Sequence, residues 1–296
     1  MEVWHNVAVA ASKNNIQSVL NPKAVKSPIR WIGGKSTLMG QLIRLLPERF
    51  DRLFEPMAGG AALFFNVQPN RAVLGDTNED LMNYYQTLSS DTDRLVSRMM
   101  CLKASKDRYY ALRPASPVGR VDTAIRFAYL NRLSWNGVHR VNRKGEFNVP
   151  MGDRLPDKLW EEEHLRHCGC LLRRAELIHG DFEETVKDAE RGDFVYFDPP
   201  YPKQDSPWGG FNRYAASPYD KSDFERLVAI IEDLDDRGVL VMVSSSLSDP
   251  NLACYPRILN RHTVRSQSLI SATNGGRCRA TEVILRNYYE DRYGAS

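Results

Sequence analysis

The sequence predicts a three-layer α/β fold, in which helices cover both faces of a central sheet. Short apolar runs alternate with helical patterns along much of the chain, and three of these runs end at an acidic residue, Glu55, Asp76 or Asp198. Strands that alternate with helices form mainly parallel sheets, and such sheets bind ligands outside the carboxyl ends of their strands. The acidic residues are therefore expected at one edge of the sheet.

The alternation is interrupted once, which divides the predicted chain into segments. A long basic stretch with helical patterns lies between the second and third of the apolar runs. We expect an N-terminal arm (residues 1–26), a sheet domain in two parts (residues 27–88 and 171–296) and an inserted, mainly helical domain (residues 89–170).

The composition is that of a soluble globular protein. Of the 296 residues, 42% are hydrophobic and 26% are charged, and the net charge of +3 says little about partners. The five cysteines form no even disulfide framework, which is typical of a reducing compartment. No signal peptide is recognisable, and no apolar run approaches the roughly 18 residues of a membrane span. The composition predicts a cytoplasmic protein without a membrane segment.

The first glycine-rich segment runs from Arg30 to Thr37 and precedes a helical pattern. Its Gly-Gly-Lys-Ser-Thr string is similar to a phosphate-binding loop. That loop needs a glycine where Ile29 stands, and no apolar strand precedes it. Two interpretations remain. The segment is either a plain glycine turn into a helix or a turn whose backbone approaches a small ligand flanked by Trp31 and Lys35.

Next come two predicted strands with a glycine turn between them. Residues 52–55 form the first strand, followed by a turn at Gly59 and an apolar helix over residues 61–67. The dinucleotide fingerprint G-x-G-x-x-G is absent. The second strand ends at Asp76, where a carboxylate suits hydrogen bonding to ribose hydroxyls. A helix N-cap is the alternative for Asp76, and the two roles are compatible.

The following segment carries most of the positive charge. Between Arg94 and Lys144 the chain has 12 basic residues and two acidic ones, interleaved with tyrosines and a tryptophan. A charge-rich stretch is usually a solvated face, but a bias this one-sided is better explained by a polyanionic partner. A turn at residues 142–145 between two short strand patterns predicts a β-hairpin. Arg140 and Asn136 are candidate base readers on it.

A cluster of histidines and cysteines follows the hairpin, at His164, His167, Cys168 and Cys170. Structural zinc sites usually separate their ligand pairs by longer loops, and C-x-C is a poor chelating spacing. A helix end that passes into a strand over residues 171–178 is the better interpretation. No metal site is therefore predicted.

The most informative stretch is a buried strand, residues 194–197, that ends in Asp198-Pro199-Pro200-Tyr201. Two prolines cannot continue a sheet ladder, so the chain must leave the sheet in a rigid turn. Asp198 and the Pro199 carbonyl are acceptors, and Tyr201 has a flat face. Together they suit a planar ring that bears an exocyclic amino group. An ordinary strand-end turn is the alternative for so short a motif.

The remaining elements complete the sheet. Residues 202–217 are predicted to form a long loop over the site. A capping box of Ser222 with Glu225 begins a helix that runs to Asp236. A buried strand is predicted over residues 239–243, and a closing pair over residues 262–266 and 281–285.

The ordered motifs resemble a known family. Residues 131–152, from Asn131-Arg132-Leu133-Ser134-Trp135-Asn136-Gly137 through Arg140 to Met151-Gly152, are similar to the recognition segment of Dam-type (D12 class, alpha-group) DNA adenine-N6 methyltransferases. The family also has counterparts of the Arg30–Lys35 segment, the Phe54-Glu55-Pro56 motif with Gly59, Asp76-Thr77-Asn78, Asp181-Phe182 and Asp-Pro-Pro-Tyr. The resemblance runs from about residue 28 to about residue 283.

The resemblance implies a fold, a reaction and a set of sites. The fold is a Rossmann-like S-adenosylmethionine-dependent methyltransferase sheet with an inserted recognition domain. The reaction is methyl transfer from S-adenosylmethionine to N6 of an adenine flipped out of double-stranded DNA, with GATC the leading site. The implied catalytic residues are Asp198, Pro199, Pro200 and Tyr201. The implied cofactor residues are Trp31, Ile32, Lys35, Glu55, Gly59, Asp76, Asp181 and Phe182. The implied DNA readers are Trp135, Asn136, Val138, Arg140, Asn142 and Pro150.

The sequence departs from the family pattern at a few positions. Ala61 and Ala62 replace the second glycine and the serine of the glycine turn, and Ile32 replaces an alanine. Trp135 and His139 are atypical in the recognition segment. Three other functions stay open: an RNA adenine-N6 methyltransferase, a protein-glutamine methyltransferase, and a catalytically silent DNA-binding module. The oligomeric state is not predicted.

Overall fold

A seven-stranded mixed sheet forms the centre of the protein, with strand order β3-β2-β1-β4-β5-β7-β6. A computed structural model describes residues 24–142, 144–200, 219–270 and 278–289. The strands are β1 (Leu53–Glu55), β2 (Ala72–Asp76), β3 (Ala175–His179), β4 (Phe194–Phe197), β5 (Leu240–Ser246), β6 (Asn260–Ile270) and β7 (Cys278–Arg286). The predicted α/β sheet is confirmed.

Nine α-helices surround the sheet in the described part of the chain. They are α1 (Met39–Leu42), α2 (Ala62–Val67), α3 (Glu79–Ser90), α4 (Thr92–Met100), α5 (Lys106–Leu112), α6 (Arg120–Leu133), α7 (Glu162–Leu172), α8 (Phe182–Val186) and α9 (Lys221–Asp236). Short 3₁₀ turns occur at Lys35–Thr37, Ile43–Leu45, Trp135–Gly137 and Leu252–Cys254.

The strand pairing brings the acidic strand ends to one edge. β1 pairs in parallel with both β2 and β4, and β4 pairs in parallel with β5. β7 runs antiparallel to β5 and β6, which closes the sheet on that side. The order of the strands along the chain reverses between β1 and β4. The crevice outside their carboxyl ends is the place where such sheets bind ligands.

Alternate side chains of the central strands enter two separate cores. Phe194 and Tyr196 of β4 belong to one core, while Val195 and Phe197 belong to the other. This is the period-two pattern of a strand with both faces covered. The second core is completed by α8 and α9, and the first by α3 and the inserted helices.

The inserted segment shares the first core with the sheet. Tyr84 of α3 packs against Phe127 of α6 with ring centroids 5.7 Å apart. Residues as distant in sequence as Leu53 and Leu130 belong to the same buried cluster. The boundaries of the domain division, at residues 88 and 170, stay a prediction, as does the N-terminal arm, most of which lies outside the described residues.

Two local predictions are wrong. The helix after the long loop has its cap two residues before the predicted Ser222. Asp220 accepts hydrogen bonds from the Ser222 and Asp223 amides, and the Asp223 side chain accepts one from the Asp220 amide. The predicted strand over residues 171–178 begins late, since α7 continues through Leu172 before β3 starts at Ala175. Leu171 and Leu172 belong to the helix and are buried in the core. Tertiary packing therefore makes these two apolar residues helical, although their sequence suits a strand equally well.

Ala61 holds the glycine turn in a conformation that alanine rarely adopts. Its φ of 46° and ψ of 42° are left-handed, and its side chain is fully buried. Its amide donates to the Ala58 carbonyl at 2.6 Å, immediately before α2 begins. A non-glycine residue in this region costs on the order of 1 kcal/mol or more. The position at which the family has a glycine is therefore strained here.

We predict that Ala61→Gly stabilises the protein by about 1 kcal/mol, because relief of the left-handed strain outweighs the greater freedom of glycine in the unfolded chain. Ala62→Gly is the matched control. Ala62 lies in α2, so the same exchange there should destabilise by up to about 1 kcal/mol. Urea unfolding of both variants checks this, and equal effects at the two positions would contradict it.

Candidate active site and recognition face

The turn after β4 carries an ion pair at the centre of the sheet edge. Asp198 Oδ1 lies 2.6 Å and Oδ2 lies 2.8 Å from Lys35 Nζ. The Lys35 ammonium also donates to the Gly33 carbonyl at 2.9 Å and lies 4.0 Å from Glu282 Oε2. Lys35 is almost completely buried, whereas the Asp198 side chain is 23% exposed. The glycine-rich segment therefore folds onto the Asp-Pro-Pro turn, and the carboxylate keeps access to solvent.

The rest of the predicted catalytic motif follows directly. Pro199 is buried and Pro200 is exposed, as expected for a turn that leaves the sheet edge. Tyr201 lies outside the described residues, as does the predicted loop over residues 202–217.

Glu55 is the second acidic group of this edge, and it is deeply buried. Its Oε1 accepts a hydrogen bond from the Phe64 amide at 2.6 Å. Burial raises the pKa of Glu55 to about 8, a rise that the Phe64 hydrogen bond opposes and the Asp198 charge reinforces. A negative charge on Glu55 is unfavourable in this state. A positively charged ligand nearby would make that charge more favourable.

Asp76, the third acidic group, organises the backbone beside the glycine turn. Its two oxygens accept hydrogen bonds from the Gly59 and Asn78 amides, each at 2.9 Å. Burial raises the pKa of Asp76 although both hydrogen bonds oppose the rise. Each carboxylate oxygen has two lone pairs, so both retain the capacity to accept a further hydrogen bond. Two such acceptors suit a vicinal diol.

Trp31 covers the glycine turn. A Cβ atom added at Gly59 would lie 2.5 Å from Trp31 Nε1, so only glycine fits under this ring. Gly59 has a positive φ of 46°, which glycine also adopts without strain. Ile32, the next residue, is 38% exposed. The predicted residues Trp31 and Gly59 are therefore brought together beside Asp76.

Asp181 and Phe182 lie beyond β3 on the same edge. The Asp181 side chain caps α8 by accepting a hydrogen bond from the Glu183 amide at 3.0 Å, and it pairs with Arg226 of α9. The Arg226 guanidinium stands over the Phe182 ring, with Cζ 4.8 Å from the centroid. Phe182 itself is buried. Arg226 is a residue that sequence inspection missed, because its link to Asp181 spans two helices.

The predicted hairpin is confirmed in the described residues on either side of residue 143. Val141 pairs with Phe147, and the Asn148 amide donates to the Arg140 carbonyl at 3.0 Å. Asn142 holds the turn, since its Oδ1 accepts from the Lys144 and Glu146 amides.

The predicted DNA readers divide into exposed and buried residues. Trp135 is 51% exposed, and Asn136, Arg140 and Pro150 are also exposed. Val138 is 6% exposed and lies in the core. The Arg140 side chain is pre-positioned, because its Nε donates to Asn148 Oδ1 at 2.8 Å. The 3₁₀ turn Trp135–Gly137 and the hairpin that follows it therefore present an aromatic ring, an amide and a guanidinium to the outside.

Two further residues fasten the recognition segment to the glycine-rich segment. The side chain of Asn131 accepts from the Arg30 amide at 3.0 Å and donates to the Arg30 carbonyl at 2.7 Å. A Cβ atom at Gly137 would lie 2.4 Å from Arg30 Cβ. These roles were not predicted. Asn131 is fully buried, and a buried polar side chain needs hydrogen-bond partners, which the Arg30 backbone provides.

The described residues contain neither a candidate metal cluster nor a helix that could span a membrane. Within the described ranges, no group of three or more His, Cys, Asp or Glu side chains is arranged to hold a metal ion. None of the described helices is long and apolar enough to cross a bilayer.

The fold and the site together define a class of protein. A seven-stranded sheet in this order, with one antiparallel strand, is the fold of S-adenosylmethionine-dependent methyltransferases. The turn at its centre carries the Asp-Pro-Pro sequence, on the same sheet edge as the buried Glu55 and the half-buried Asp76.

Comparison with known proteins places the chain in one family. Residues 31–271 match the model of the D12 class N6 adenine-specific DNA methyltransferases. A type II methyltransferase of Lactococcus lactis subsp. cremoris is 35% identical over 270 residues, which cover 88% of this chain and 94% of that protein. The chain belongs to the D12 class of N6 adenine-specific DNA methyltransferases.

Two other relatives agree with this assignment. A type II methyltransferase of Methanocaldococcus jannaschii is 33% identical over 245 residues, with 75% of this chain and 84% of that protein covered. The retron Ec67 DNA adenine methylase of Escherichia coli is 30% identical over 263 residues, with 86% and 89% covered. The protein is accordingly an adenine-specific DNA methyltransferase, and DNA is its substrate.

The raised pKa of Glu55 predicts a pH-dependent stability. The ordinary pKa of a glutamate is 4.5, and the folded chain raises that of Glu55 to about 8. At a pH between these two values, Glu55 keeps its proton in the folded chain and has lost it in the unfolded chain. Stability must therefore fall as the pH rises through this window. Glu55→Gln has no such proton, so it should gain stability relative to the wild type between pH 5 and pH 8, on the order of a few kcal/mol.

Urea unfolding at pH 5, 6.5 and 8 measures this difference. Glu163→Gln, at an exposed position of α7, is the control and should follow the wild type at every pH. Parallel pH profiles for Glu55→Gln and the wild type would contradict the burial argument.

Proposed function

We propose that the protein transfers a methyl group from S-adenosylmethionine to N6 of an adenine that is flipped out of double-stranded DNA. The observation that carries this proposal is the position of Asp198. It lies at the carboxyl edge between β1 and β4, partly exposed, and it is held by Lys35 at 2.6 Å. This arrangement offers a fixed acceptor in the crevice where the fold binds ligands.

The residues of the neighbouring strand ends fit S-adenosylmethionine. Asp76 offers two spare acceptor positions for the ribose hydroxyls, since each of its oxygens accepts one backbone N–H. The buried carboxyl of Glu55 suits a cationic group, because a nearby positive charge offsets the cost of ionising it. Asp181 and Phe182 supply an acceptor and an apolar wall for the adenine end. Trp31, Ile32 and Gly59 would complete the pocket.

Asp198 and Pro199 would bind the exocyclic amine of the target base. Adenine N6 is a poor nucleophile, because its lone pair is delocalised into the ring. If the Asp198 carboxylate and the Pro199 carbonyl accept hydrogen bonds from its two N–H groups, the nitrogen is favoured in a pyramidal form with a directed lone pair. S-adenosylmethionine supplies an electrophilic methyl group. Tyr201 would stack on the base, and the turn of two prolines fixes these groups in place.

Lys35 would act at the same turn. Its ammonium contacts both oxygens of Asp198 and the Gly33 carbonyl, so it holds the carboxylate in one orientation. A carboxylate oxygen can accept a second hydrogen bond, which leaves room for the base amine. We therefore assign to Lys35 the positioning of Asp198 in addition to a place in the cofactor wall.

The hairpin would recognise DNA. An amino group that is paired and stacked in a duplex cannot reach the sheet edge, so the base has to leave the helix. Trp135, Asn136 and Arg140 are exposed within six residues of one another, so a ring and two polar groups are available to contact the opened duplex. Pro150 flanks them, Asn142 shapes the turn, and Val138 supports it from the core. GATC is the proposed site.

Labelled methyl incorporation tests the proposal. Two unmethylated duplexes, one with GATC and one with the site scrambled, are incubated with labelled S-adenosylmethionine. We expect label only in the first. Equal label in both would keep the reaction and remove the proposed specificity. Label in RNA but in neither duplex would identify an RNA adenine methyltransferase.

Asp198→Ala should abolish transfer in this assay and leave cofactor affinity within about two- to threefold, because the proposed partner of the carboxylate is the base amine and its contact with the cofactor wall is through Lys35. Isothermal titration with S-adenosylmethionine provides the second measurement. Ser222→Ala, at an exposed position at the start of α9, is a control that should keep both. Near-normal turnover by Asp198→Ala would remove this residue from the mechanism.

DNA affinity should fall steeply with salt, since basic side chains that neutralise phosphates release counterions. If about six phosphates are neutralised, affinity drops on the order of 10³-fold between 50 and 200 mM salt. A plot of log affinity against log salt has a negative slope. Lys144→Ala, at the exposed turn of the hairpin, should reduce the magnitude of that slope by about 1. Arg98→Ala is the control, because Arg98 already pairs with Asp122. A flat salt dependence would contradict the proposed phosphate contacts.

A further inference from the structure

His139 lies where three segments of the protein meet. It directly precedes the proposed reader Arg140, yet it is only 8% exposed. Its ring stacks on Trp31 with centroids 6.2 Å apart and an interplanar angle of 18°. The rings of Phe127 and Phe147 pack against it at 5.4 Å and 5.5 Å. An imidazole enclosed in this way has a fixed orientation.

Hydrogen bonds determine which nitrogen of His139 carries the proton. The Asn78 side chain accepts from the Leu81 amide through Oδ1 at 3.0 Å, so its NH₂ group faces His139 Nδ1 at 3.1 Å. An amide NH₂ can only donate, and Nδ1 must therefore accept. In the neutral ring the proton then lies on Nε2, which stands 3.6 Å from Asp80 Oδ2. His139 is thus bound to both ends of the Asn78–Asp80 turn.

This contact leads directly to the proposed cofactor wall. The Asn78 amide donates to Asp76, and the other oxygen of Asp76 accepts from Gly59. Gly59 in turn lies under the Trp31 ring. His139 therefore touches two neighbours of the pocket, the Asn78 side chain and Trp31, while it is covalently linked to the recognition segment.

Asp80 is held by contacts with both His139 and Arg126. Burial raises the pKa of Asp80, but the contacts of His139 and Arg126 outweigh burial and lower it overall. Arg126 belongs to α6 and lies 3.8 Å from Asp80 Oδ2. An ionised Asp80 thus links α3 to the inserted helix and to the hairpin. Movement of His139 would therefore disturb the contacts among α3, α6 and the hairpin.

We propose that His139 is a positioning residue that couples cofactor binding to DNA binding. A ligand that restrains Trp31 and the Asp76–Asn78 segment also restrains His139, which contacts both, and with it the adjacent Arg140. The inference rests on the cofactor and DNA sites of the proposed function. Because coupling is reciprocal, each ligand must raise the affinity for the other by the same factor.

The coupling factor is measured with a closed binding cycle. S-adenosylhomocysteine, which has no methyl group to transfer, is titrated into the full-length protein with and without a saturating GATC duplex. The affinity for the duplex is measured with and without S-adenosylhomocysteine. For the wild type we expect a coupling on the order of tenfold, equal in both directions.

Three variants separate coupling from simple structural damage. His139→Leu removes the stacked ring and both polar contacts, so its coupling factor should fall to about one. His139→Asn keeps an acceptor for Asn78 and should retain part of the coupling. His167→Asn, at an exposed position of α7, should behave as the wild type. If the His139→Leu protein fails to fold, it loses its affinity for both S-adenosylhomocysteine and the duplex. The coupling factor of His139→Asn then tests the proposal.

Each outcome identifies which idea fails. Full coupling in His139→Leu or His139→Asn, or no coupling in a wild type that binds the cofactor and methylates the duplex, would overturn the role of His139 and leave the proposed function intact. A wild type that does not bind S-adenosylhomocysteine at all would overturn the proposed function, and the coupling with it.

Discussion

The parallel pairing of β1 with β4 is the constraint on which the site depends. Phe54 pairs with Val195, so Glu55 at the end of one strand and Asp198 just beyond the other share an edge. The two strands are separated in sequence by the whole inserted segment. β2 adds Asp76 on the far side of β1 through the same parallel geometry. Without this pairing, the carboxylates would have no common crevice.

Acidic side chains at this edge offset the cost of burying the Lys35 ammonium. Asp198, Glu55 and Glu282 bring acidic groups to one region, and Asp198 contributes to the raised pKa of Glu55. The Lys35 ammonium contacts Asp198 and lies 4.0 Å from Glu282. A buried ion pair adds little net stability, but removal of one partner leaves a costly unpaired charge. The role proposed for the pair is therefore to orient Asp198 and not to add stability.

Several parts of the site were predictable because they depend on local patterns. The strand Phe194–Phe197 ends where the prolines require it, and the hairpin turn forms where Gly145 and Asn142 permit it. Other parts depend on long-range contacts. The Lys35–Asp198 pair, the Arg226–Asp181 pair and the enclosure of His139 each join residues from separate elements. No periodicity in the chain reports such contacts.

The sequence by itself determined the α/β class, the order of the motifs and the position of the Asp-Pro-Pro turn, because strand periodicity, prolines and glycines act over a few residues. Tertiary structure alone decided that Val138 faces the core while Arg140 faces outward, and that Ala61 adopts a left-handed backbone. It also decided that His139 of the hairpin packs on Trp31 of the first glycine-rich segment. These outcomes depend on which surfaces meet when the sheet closes, and that is a property of the packed chain as a whole.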